Sequence, residues 1–156
     1  MRNISAAGLA KLAERHGNEP ITILEVDWMD EATPRFYADR DVQSIPGRII
    51  AVGDLDNVVN VSNNSNSQSL EVTLDDTDGT IKAIFDAHDI HKRGVRVWQY
   101  FEGLDLSDKF LLFAGKISTP VVWSERDRTV KFTIISQLED KEVGFSAEEG
   151  QFPYLP

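Results

Sequence analysis

The 156-residue chain has no cysteine. Disulfide frameworks, thiolate nucleophiles, Cys-ligated zinc and iron–sulfur clusters are excluded by that alone, while the redox compartment stays open. Long apolar runs are missing too. The longest clusters, such as Phe110 to Ala114, are far too short to span a bilayer. Met1-Arg2-Asn3-Ile4-Ser5 leads into an amphipathic stretch, so export by a cleaved signal is not expected. Basic residues are scarce: 16 Lys plus Arg stand against 26 Asp plus Glu, a formal charge of -10 and a pI near 4.7. Equilibrium binding to nucleic acid depends on Lys and Arg displacing counterions from phosphates, and the balance argues against it. It argues equally against adsorption to an anionic membrane. An acidic surface fits a solvated protein, or a wall past which a polyanion slides without sticking.

Catalytic patterns are also lacking. There is no Gly-x-Ser-x-Gly elbow, and the three histidines have no sequence-local partner that would mark a triad. Gly47, Gly53 and Gly79 are isolated turn glycines, not a phosphate-cradling loop. Carboxylates are so plentiful that a glycosidase pair could be drawn almost anywhere and carries no information. No catalytic, cofactor-binding or metal-ligating residue is assigned, and the chain is read as a non-enzyme.

What is present is an ordinary globular composition, 41% hydrophobic and 27% charged, long enough for one domain with a real core. Residues 1–20 form an N-terminal helical arm: Ser5 can cap a helix over 5–16 whose stripe of Leu9, Leu12 and Ala13 needs something to dock on. Residues 21–138 read as the β domain. Ile21–Trp28 is a strand of imperfect alternation, Pro34–Arg40 its hairpin partner across Met29–Thr33, and Arg48–Val52 a third strand. Asn- and Ser-rich residues 57–69 favour turns, with Val58, Val59 and Val61 hinting at a strand within them. Leu70, Val72 and Leu74 then alternate cleanly with polar residues. Thr80–Ala87 reads as a short helix with Ile81, Ile84 and Phe85 inward. Beyond Gly94, Val95, Val97 and Phe101 face one way and Arg96, Trp98 and Tyr100 the other. Phe110–Ile117, Val121–Trp123 and Thr129–Ser136 complete the set, the last two joined by a polar hairpin tip at 124–128. Residues 139–156 form an acidic, extended C-terminal segment. The expected class is mainly β, an antiparallel barrel or sandwich of about eight strands with one N-terminal helix and one short inserted helix.

Each candidate site competes with a plainer account. Asp76-Thr77-Asp78-Gly79 invites a calcium loop, but an EF-hand register puts Leu74 and Phe85 at its first and last ligand positions. A tight turn whose acids favour the next helix N-terminus explains it better. His88 and His91 lack a third ligand and read as solvated loop residues; His16 suits a helix C-terminus. Trp28, Trp98, Trp123, Tyr37 and Tyr100 could form a sugar-stacking platform, although strand aromatics more often serve core or interface. Lys92, Arg93 and Arg96 form a small basic cluster read as an intersubunit contact, and Trp98, Tyr100, Phe152 and Tyr154 are grouped with it as interface residues.

The order of several elements resembles phage tail proteins that build the distal tail and baseplate hub. The pattern runs Leu74-Asp75-Asp76-Thr77-Asp78-Gly79, then Arg93-Gly94-Val95-Arg96-Val97-Trp98-Gln99-Tyr100, then Phe113-Ala114-Gly115-Lys116-Ile117 and Val130–Ser136. The ending from Phe145 through Phe152-Pro153 is also similar, and Phe36–Arg40 with Gly47-Arg48-Ile49 adds a weak echo; the match covers roughly residues 68–153. Some hub-like relatives carry a cysteine cluster for an iron–sulfur centre; this chain has none, so no cofactor is implied. The resemblance implies a virion structural component at the tail tip or baseplate hub, assembled in the host cytoplasm. Its partners would be further copies, as a trimer or hexamer, and other tail proteins, with DNA passing through unbound. The ending Phe152-Pro153-Tyr154-Leu155-Pro156 either leads into further sequence or docks extended onto a neighbour. Two other readings stay open: a carbohydrate- or receptor-binding β module, and an acidic decoy that mimics DNA.

Overall fold

Strand β1 (Pro20–Val26) is buried on both faces, which is why its alternation is poor. Leu24, Val26 and the following Trp28 point into the main core, whereas Ile21 and Ile23 pack outward beneath Ala38, Val42, Ile45 and Tyr100. The computed structural model describes residues 4–14, 19–54, 56–59 and 66–136. Among them, β1 is followed by β2 (Arg35–Ala38), β3 (Ile49–Val52), β4 (Asp56–Val59) and β5 (Asn66–Asp75). After a helix come β6 (Gly94–Phe101), β7 (Phe110–Ser124) and β8 (Thr129–Ser136). Seven strands lie in the order β2-β1-β6-β7-β8-β5-β3, with β4 pairing beside β3 on β5, and every ladder is antiparallel. The ends of this order approach each other where Ala38 donates its N–H to the Pro46 carbonyl at 2.9 Å and bridges to Gly47. The result is a nearly closed barrel, not a sandwich.

Interior positions follow the two-residue period. Leu70, Val72 and Leu74 of β5, Val95 and Val97 of β6, Phe113 and Ile117 of β7, and Val130, Phe132 and Ile134 of β8 line one core. Each such side chain contributes roughly 1.5–3 kcal/mol through burial. Gly115 sits among them because β8 comes so close: a Cβ there would lie 2.0 Å from the Ile135 carbonyl oxygen.

Helix α2 (Thr80–Ala87), with the bounds the sequence predicts, closes one end of the barrel. Ile81 is fully buried, and the Phe85 ring meets Trp28 edge-on at 5.5 Å, which in turn meets Phe132 at 5.8 Å. The Trp28 indole donates to the Tyr37 hydroxyl at 2.9 Å, so the buried polar tip is satisfied.

Two expectations change. Phe110–Ile117 and Val121–Trp123 belong to one 15-residue strand whose register on β8 shifts between Ser118 and Val122, absorbing the Thr119–Pro120 interruption (a cis peptide) as an irregularity. On β6 both faces carry buried side chains, Tyr100 on one being as buried as Val97 on the other. Helix α1 spans Ala6–Ala13, with Ser5 accepting the Gly8 N–H at 3.1 Å, but Leu9 and Leu12 are exposed and Gly8 is its buried residue. The expected helix end at 15–16, the role of His16, the strand residue Val61 and the segment 139–156 lie outside the described residues.

Candidate functional site

The outer face of β1 and β6 carries a charge cluster that composition alone hides. Register sets Glu25 opposite Arg96 and Ile23 opposite Trp98. One Arg96 nitrogen donates to Glu25 Oε1 at 3.0 Å and to Asp27 Oδ1 at 3.0 Å, while the Trp98 indole donates to Glu25 Oε2 at 2.7 Å. Both carboxylates are buried. Burial raises the Asp27 pKa; Arg96 opposes this, and the neighbouring Glu25 charge adds to it. The bond to Glu25 in turn holds the Arg96 guanidinium more firmly charged. Gly94 makes the seat: a Cβ there would stand 2.7 Å from Asp27 Oδ2. Lys109 lies 4.8 Å over the Trp98 ring and covers it.

This placement separates the predicted interface residues. Arg96 and Trp98 are tied into their own chain, and Tyr100 is core, its hydroxyl donating to the Leu104 carbonyl. Lys92 and Arg93 lie on the turn before β6, where the Lys92 N–H donates to Ile117 and the Arg93 side chain to the Asp89 carbonyl. Arg96 is thus engaged by carboxylates of β1, while Lys92 and Arg93 stand on the adjoining turn. Phe152 and Tyr154 lie outside the described residues. The five aromatics do not form a platform either: Trp28, Tyr37 and Tyr100 are buried, on different sides of the wall.

At the head of α2 the Asp-Gly turn has a mechanical role. Asp76 is fully buried; its Oδ1 accepts the Ile81 N–H at 2.8 Å, and its Oδ2 accepts the Lys82 N–H at 2.9 Å and the Trp123 indole at 3.3 Å. Gly79 takes the left-handed conformation that lets the chain enter the helix. Asp78 receives a two-pronged bond from Arg48, one prong at 2.9 Å, which with the Thr80 hydroxyl lowers its pKa well below the carboxylate range. These contacts occupy the carboxylates that a calcium loop would need. His88 caps α2 through its backbone N–H, and both it and His91 are exposed.

A feature the sequence reading missed lies at the barrel seam. Beside the outer edge of β2 runs an open groove of about 630 Å³, walled by β2, the 44–46 turn and α2. Its charged lining residues are Arg35 and Arg48, with no carboxylate. The signal in the sequence was faint: Pro34-Arg35-Phe36 is one cation between two apolar residues.

No family model and no curated protein matches this chain. Seven chains of solved structures do match its fold. One belongs to the virion of a native gene transfer agent particle, with a TM-score of 0.64 and 13% identity. The two chains share a backbone fold. The likeness covers 90% of this chain and 47% of that one, so this chain spans about half its neighbour's length. At such low identity the shared property is backbone architecture. The motifs that carried the tail-protein resemblance occupy working positions in it: Gly79 opens the capping helix, Gly94 seats Asp27, and Gly115 admits β8.

Proposed function

We propose that this chain is a structural component of the virion of a tailed phage or phage-like particle. It is placed at the tail tip or baseplate hub, where copies close into a trimeric or hexameric ring between the tail tube and the distal parts. The observation that supports this best is the barrel likeness, extending over 90% of the chain, to a protein of a gene transfer agent virion. The order of the Asp-Gly, Arg-Gly and Phe-x-Gly-x-Ile elements supports it independently. In this role the chain works by packing and pairing, without catalysis, and its charge of -10 keeps passing DNA from adhering. Ring closure requires a heterologous contact between two different surfaces of one chain.

Antibody labelling of intact virions is the test: label at the tail tip supports the assignment, and label on the head or along the tube overturns the location. Light scattering then checks the ring, which a chain that stays monomeric at high concentration would contradict. The sugar-binding alternative loses support from the burial of Trp28, Tyr37 and Tyr100.

A further inference from the structure

The seam groove contradicts the overall charge. In a chain with ten more acidic than basic formal charges, its charged lining residues are two arginines. Arg48 is clamped by Asp78, but Arg35 is exposed and has no carboxylate partner among the described residues. Around it lies an apolar bed from Pro34, Phe36, Ile45, Pro46 and Ile84.

The groove also borders an open strand edge. Ala38 turns its N–H away from β1 and gives it to Pro46, whereas Asp39 donates back to Thr22 of β1. By the alternation of an antiparallel strand, Phe36 turns its N–H and C=O to the same outer side as Ala38. No backbone group among the described residues meets them there. An unpaired edge beside an apolar, cationic groove is the arrangement that accepts an extended acidic segment as an added strand.

We infer that the occupant is the C-terminal segment 137–156 of a neighbouring copy, an inference that rests on the ring assembly proposed above. Charge complementarity selects it. The segment carries Glu139, Asp140, Glu142, Glu148 and Glu149 against the single Lys141, together with Phe145, Phe152 and Tyr154 for the apolar bed. Backbone pairing along β2 supplies affinity, and Arg35 reads the acidic side chains. Donor segment and acceptor groove are different surfaces, so the contact propagates from copy to copy and closes as a ring.

The test uses the full chain with photoreactive benzoylphenylalanine in place of Tyr154, as an equal mixture of isotopically heavy and light protein. Irradiation is expected to give heavy–light cross-links from position 154 to peptides containing Phe36 or Ile84. Arg35→Glu lowers their yield about fivefold, the effect of losing one exposed charge pair and gaining a repulsive one. Arg35→Gln lowers it less, and Glu148→Lys with Glu149→Lys restores yield to the Arg35→Glu chain. Circular dichroism checks that each variant keeps its fold. Cross-links to other surfaces, cross-links only within one copy, or a yield indifferent to Arg35→Glu would overturn the assignment. If light scattering still finds oligomers in that case, the groove assignment alone fails; a monomer without heavy–light cross-links counts against the ring as well.

Discussion

The Trp123 indole donates to Asp76 Oδ2 at 3.3 Å, joining the far end of β7 to the head of α2 across 47 positions of sequence. Lys82 lies 5.6 Å over the same indole ring, so the helix that closes the barrel is held to β7 from both sides of its first turn. A buried carboxylate is costly unless its oxygens are engaged. Here two helix amides and an indole engage them, and the positive end of the helix dipole helps.

Asp76→Ala is therefore expected to destabilise the chain by roughly 2–3 kcal/mol, because one buried and one half-buried amide lose their acceptor at once. Asp76→Asn keeps one oxygen acceptor and costs less. Urea unfolding followed by tryptophan fluorescence measures both. Equal stability of Asp76→Ala and the parent chain would remove the capping account.

Arg96 is the counterion shared by Glu25 and Asp27. Arg96→Ala leaves two buried carboxylates without it, with an expected cost of roughly 1–3 kcal/mol at neutral pH. The pH dependence fixes the cause. A carboxyl whose folded pKa is raised, as burial raises that of Asp27, contributes stability below its unfolded pKa and loses it as pH rises through the folded one. Without Arg96 that rise is larger, so the variant's deficit narrows as pH falls from neutrality into the carboxylate range. A deficit constant with pH would point to lost packing instead.

Asp78 behaves in the opposite sense. Arg48 lowers its pKa, so its contribution is fully present above the ordinary carboxylate value of about 4 and is lost as pH falls through the depressed one. Asp78→Asn is expected to flatten the acid side of the stability profile while changing little of its shape above pH 5. Thermal melts from pH 2 to pH 7 test this. An unchanged acid limb would mean the pair is fully screened by solvent.

Much of the barrel was legible because its signals are local. The β5 alternation, the turn at 124–128 and helix α2 all follow from period and turn chemistry within a few residues. The two-faced burial of β1 was not legible, since it depends on the 39–47 loop folding back over Ile21 and Ile23. For the same reason Arg96 and Trp98 read as interface residues: their partners Glu25 and Asp27 are about 70 positions away and meet them only through the β1–β6 ladder. The groove was hidden because it belongs to no single element, arising where the first and last strands of the sheet order approach without full pairing.

Two glycines of the tail-protein pattern give a graded prediction. At Gly115 an added methyl meets a backbone oxygen, the Ile135 carbonyl, and Ile134 Cγ2 at 2.8 Å. Backbone cannot swing aside as a side chain can, so Gly115→Ala must open the β7–β8 ladder, at an expected cost of about 3 kcal/mol or more, the upper range for overpacking. At Gly94 the methyl meets only Asp27 Oδ2, which can rotate if it gives up Arg96, so Gly94→Ala costs about 1–2 kcal/mol. The two sites differ again when Asp27→Ala is added. Removing that carboxylate clears the space over Gly94, so the pair is less damaging than the sum of its parts, whereas Gly115→Ala and Asp27→Ala add independently. Urea midpoints of the single and double variants decide it. Strict additivity at Gly94 would show that the close contact with Asp27 is not what requires glycine there.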